Sequence, residues 1–71
     1  MSDITKIRLL SMLDNELRQV AGMISNEELW LLGSSDEEQR SLHEENLVNL
    51  GEYKYTLLRM RRQVVEETFS L

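Results

Sequence analysis

The sequence predicts an all-α protein: a helical hairpin with a short connector helix, expected to pair with a second copy as a dimeric four-helix bundle. Three observations point there. The 71 residues include no proline and only three glycines, Gly22, Gly33 and Gly51, so little interrupts a helix. Two long stretches repeat apolar residues every three or four positions, the spacing of one helix face. The chain has no cysteine and a single histidine, which removes disulfides and histidine-rich or thiolate metal sites as staples. Below ~70–80 residues one core supplies only ~3–5 kcal/mol, so self-association or a protein partner is the expected source of further stability.

The first helix is expected over about residues 2–24. Ser2 or Asp3 can cap it, because a short side-chain oxygen accepts an orphan backbone N–H. Ile4, Ile7, Leu10, Leu13, Leu17, Val20 and Ile24 then follow, spaced 3, 4, 3, 4 from Leu10 onward like a coiled-coil seam. Leu9, Met12 and Met23 lie off that seam and widen the stripe.

A short helix is expected over about residues 26–32. Ser25 and Glu28 have capping-box spacing, and Leu29, Trp30, Leu31 and Leu32 follow. Gly33 suits a left-handed stop. The long helix is expected over about residues 35–68, ~50 Å at ~1.5 Å per residue. Ser35 would cap it, Glu38 would close the box, and Asp36, Glu37 and Glu38 suit the positive end of the helix dipole. Leu42, Leu50, Tyr53, Leu57, Met60 and Val64 form its seam, and Leu47, Leu58, Val65 and Phe69 a second stripe. His43 and Asn46 either continue the seam as register-setting polar residues or lie outside the bundle, with Leu42 and Leu47 facing the connector. Gly51 in mid-helix costs ~1 kcal/mol relative to alanine and would mark a close crossing or a bend. Together these elements make one helical domain spanning residues 1–71.

Charge is uneven. The net charge is −5, the reverse of the basic surplus that nucleic-acid binders carry. Residues 25–46 hold seven acids and only Arg40, whereas Lys54, Arg59, Arg61 and Arg62 outnumber the acids after residue 46. In an antiparallel association these regions would face each other and set orientation more than affinity. No apolar run approaches the ~20 residues of a membrane span. The first six residues lack a basic-then-apolar signal pattern, so a cytoplasmic protein is expected.

Catalytic chemistry finds no foothold. His43 has no second imidazole, and Ser41 would point to another part of the helix surface. Arg40 stands where a di-iron Glu-x-x-His motif needs its glutamate. Leu47 stands where a zinc-protease motif needs its second histidine. Asp36-Glu37-Glu38 lacks calcium-loop spacing and reads as helix capping. There is no phosphate-cradling glycine loop. No enzyme activity, cofactor, metal or small-molecule substrate is expected.

The expectation is therefore a small adaptor, regulator or chaperone that presents an apolar helix face to a partner protein or to itself. Assembly is assigned to Leu10, Leu13, Leu17, Leu50, Tyr53, Leu57, Met60 and Val64. Outward partner contacts are assigned to Trp30, Tyr55, Leu58 and Arg62. Trp30 has two readings: a core anchor for the connector, which is favoured, or an interface anchor, since tryptophan is enriched at hot spots. The alternative function is a dimeric nucleic-acid-binding regulator using Arg59, Arg61 and Arg62, against which stands a solvated helix face with local ion pairs.

Overall fold

A computed structural model describes residues 2–66. Two helices, α1 (Asp3–Gly33) and α2 (Glu37–Glu66), pack against each other as a hairpin. Side-chain pairs run from Glu27–His43 near the turn through Glu16–Tyr53 to Asp14–Arg61, so the helices are antiparallel. The hairpin is long and thin, 51 × 18 × 12 Å. Among the described residues no helix is long and apolar enough to cross a membrane.

α1 begins as its sequence dictates. The Ser2 hydroxyl accepts the Thr5 backbone N–H at 3.2 Å and donates to the Thr5 hydroxyl at 2.8 Å. The expected break near residue 25 is absent, because α1 runs unbroken to Gly33 and there is no separate connector helix. Ser25 is therefore an interior residue and not a cap. The reason is physical. Residues 24–32 contain neither glycine nor proline, and a second helix would need its own costly nucleus. Continuing the helix also keeps Ile24, Glu27 and Leu31 on the side that faces α2, at spacings of three and four. The two helices are thus nearly equal, at 31 and 30 residues, instead of short and long.

Gly33 is the last helical residue and has no left-handed backbone. Ser34, extended at φ −96° and ψ 130°, ends α1 and donates its N–H to the Leu31 carbonyl at 3.4 Å. Asp36, and not Ser35, caps α2: its carboxylate accepts the Glu38 N–H at 3.0 Å, and its carbonyl accepts the Arg40 N–H at 2.9 Å. A charged acceptor makes the stronger cap bond. The Arg40 guanidinium reaches back to the Ser34 carbonyl at 3.4 Å and closes the turn. Thr68 and Phe69, expected at the end of the long helix, lie outside the described residues.

The core is one stripe deep. Leu13, Val20, Leu57 and Val64 are buried, with Leu9, Leu10, Leu17, Ile24 and Leu50 packed beside them. Ile4 and Ile7 are exposed and outside the expected seam. On α2 the inward line is His43, Leu47, Leu50, Leu57, Arg61 and Val64, while Tyr53 and Met60 are turned to one flank and remain exposed. Leu42 is exposed as well, whereas Leu47 is half-buried. Gly51 marks no crossing within the hairpin, since a Cβ there meets nothing within 4 Å.

Candidate functional site

The inward rotation of α2 leaves a groove along one flank of the hairpin. Its floor is Leu13, Leu57 and Val64 of the core. Its walls are Leu9, Met12 and Glu16 from α1 and Tyr53, Met60 and Gln63 from α2, around a volume of about 480 Å³. Seven-residue spacing extends the α1 wall: Leu9, Glu16, Met23 and Trp30 recur on one face of the helix. Met12 is 68% exposed and Met60 46%, so the walls present thioether side chains to solvent. Methionine is flexible and polarisable and repacks readily against a second apolar surface.

A single polar clasp crosses the groove. The Tyr53 hydroxyl donates to a Glu16 carboxylate oxygen at 3.1 Å. Desolvation, and then the hydrogen bond and charge of Glu16, push the Tyr53 phenol above its ordinary range. The opposite flank is closed by Arg61, whose Nε donates to Asp14 at 2.7 Å. That bond and the carboxylate charge raise the Arg61 guanidinium further, against a smaller opposing effect of desolvation.

The closed end of the hairpin carries a second cluster. His43, half-buried on α2, hydrogen-bonds through Nδ1 to the Glu27 carboxylate of α1. Trp30 stacks on the His43 ring. Trp30 is nevertheless 64% exposed, which overturns the reading of it as a core anchor. His43 is a boundary residue within the packing, and its bond to Glu27 ties the two helices together. Among the described residues no group of three or more histidine or acidic side chains could hold a metal ion.

The residues assigned from sequence divide among these places. Leu13, Leu57 and Val64 are core within one chain, and Leu10, Leu17 and Leu50 pack against it. Tyr53 and Met60 are in the groove. Tyr55 is exposed on another face, with the Arg59 guanidinium 5.9 Å from its ring centroid. Leu58 is partly exposed, and Arg62 pairs with Glu66 at 3.1 Å. Tyr55, Leu58 and Arg62 share one face of α2 at spacings of three and four, while Trp30 stands apart beside His43 at the closed end. The basic cluster is likewise divided among three local partners: Tyr55 for Arg59, Asp14 for Arg61 and Glu66 for Arg62. Glu16, Gln63 and the Glu27–His43 pair had no place in the sequence reading, although the row of residues seven apart was available to find the first. No protein-family model, curated protein or solved structure matches the chain.

Proposed function

We propose that the chain is a non-enzymatic protein-binding module, of the adaptor, regulator or chaperone kind, that works by laying the Met12–Met60 groove over an apolar helix face. Two copies covering each other's grooves make a four-helix bundle, which is the burial such a thin hairpin lacks. One observation carries this reading: the groove is walled by exposed Met12, Tyr53 and Met60 and half-buried Leu9, while its floor is the protein's own core. A binder of helices needs no reactive group there, and the clasp between Tyr53 and Glu16 supplies a polar register point. The reading is kept to the cytoplasm, where a cysteine-free chain needs no oxidising compartment to complete its fold.

Sedimentation of the intact chain against two variants tests it. Met60→Glu puts a charge in the groove, and Val48→Glu puts one on an exposed position that does not line it. Association that is lost in Met60→Glu and kept in Val48→Glu supports the proposal. Association that survives Met60→Glu contradicts it, as does a folded chain that stays monomeric at every concentration.

A further inference from the structure

We infer that the groove of one copy receives the Trp30 end of a second, oppositely directed copy. The inference rests on the self-pairing proposed above and adds its direction and its contacting residues.

Charge is polarised along the hairpin axis. Folding the chain at residues 34–36 gathers residues 25–46 at the closed end, with seven acids and one base, a net of −6. The open end collects residues 2–24 and 47–66, with five acids and seven bases, a net of +2. Two copies side by side in the same direction would set −6 against −6 along the contact. Reversing one copy sets each acidic end against a basic one. Like-charge juxtaposition is a strong selector against a wrong arrangement.

Shape favours the same direction. Along the groove face, the open end is concave between Met12 and Met60, while the closed end projects Trp30. Trp30 uses one ring face on His43, which holds the indole in place and leaves its remaining surface open. A pre-positioned tryptophan is a strong anchor for a partner's apolar pocket. A reversed pair brings Trp30 of each copy over the other's groove, with Met23, close to the midpoint between Met12 and Trp30, at the two-fold axis. The interface is then isologous, the same patch used twice. Local charge agrees: Arg8 and Arg18 line a hollow beside Met12, and Asp36 lines one beside Trp30.

The absence of cysteine and the single tryptophan make the test direct. A nitroxide is placed on Gln63→Cys, a polar groove position that leaves every apolar wall residue intact. A second variant carries it on Asn15→Cys, an exposed position in the hollow beside Met12 and outside the groove lining, fifteen residues from Trp30 along α1, ~22 Å at ~1.5 Å per residue. Contact quenching of Trp30 by a label on its own chain is thus out of reach. The inference expects a dimer in which either label quenches Trp30 emission severalfold, reversibly with dilution, without close coupling between the two nitroxides. A dimer with unquenched Trp30 and strongly coupled nitroxides is the same-direction arrangement. It overturns this inference and leaves the groove pairing standing. An unlabelled chain that never dimerises overturns both.

Discussion

Trp30 lies flat on His43 across the closed end of the hairpin, with ring centroids 5.9 Å apart and planes 7° from parallel. The same imidazole holds Glu27, so one side chain on α2 secures two on α1. His43→Ala is expected to remove both contacts and cost about 1–2 kcal/mol in denaturant unfolding. His43→Phe keeps a stacking partner for Trp30 but loses the Glu27 bond, so it is expected to recover part of that loss. A His43→Phe variant as unstable as His43→Ala would assign the whole loss to the Glu27 bond.

Val20 is fully buried at the middle of the helix contact, while Leu32 is 86% exposed. Val20→Ala is expected to cost about 2 kcal/mol, from lost transfer energy and a small cavity. Leu32→Ala is expected to change stability by less than about 0.5 kcal/mol, as surface changes do. Urea denaturation of both variants at one protein concentration checks the contrast.

Asp36 is the cap of α2, so Asp36→Ala is expected to cost about 1 kcal/mol, and Ser35→Ala close to nothing. Thermal melts followed by circular dichroism separate the two. A larger loss at Ser35 would return the cap to the position that capping-box spacing favours.

Tyr53 titrates above its ordinary range because desolvation and the Glu16 carboxylate oppose its ionisation. A group raised on folding adds stability that is present below its unfolded pKa and is lost as pH rises through the folded one. The alkaline limb of the stability profile, above about pH 10, is therefore expected to flatten in Tyr53→Phe. Glu16→Gln is expected to lower the Tyr53 midpoint, read by phenolate absorbance in a Tyr55→Phe background. An unmoved midpoint would remove Glu16 as a cause.

A Cβ at Gly51 meets only open space, and the residue is helical and exposed. Gly51→Ala is expected to stabilise α2 by about 1 kcal/mol. If the substitution instead weakened association, a second chain would have to approach the helix at that point.

Helix content was legible because proline is absent and the apolar spacing is regular, and Ser2 announced the start of α1 correctly. The connector helix was misread for a definite reason. Ser25 and Glu28 have the spacing of a capping box, but local capping preference amounts to about 1 kcal/mol. That is less than the gain from keeping Ile24 and Leu31 in phase against α2. The same limit explains Ser35, which lost its role to a charged neighbour one residue on.

The groove was half legible. Tyr53, Met60, Leu9 and Met12 all stood out as apolar, yet spacing alone does not fix how far a helix is rotated about its own axis. The line Leu50, Tyr53, Leu57, Met60, Val64 and the line Leu50, Leu57, Arg61, Val64 share three members. The Arg61–Asp14 pair on one flank and the Tyr53–Glu16 clasp on the other accompany the second line, and neither is visible before the helices are brought together.

The most direct test of the central claim, that the groove face is covered by a second copy, is the mass of the intact chain in solution. Light scattering after size exclusion, with circular dichroism on the same peak, gives mass and helicity together. A helical, cooperatively melting particle of twice the 8.4 kDa chain mass is the expected result. A helical particle of 8.4 kDa at all concentrations would contradict the claim.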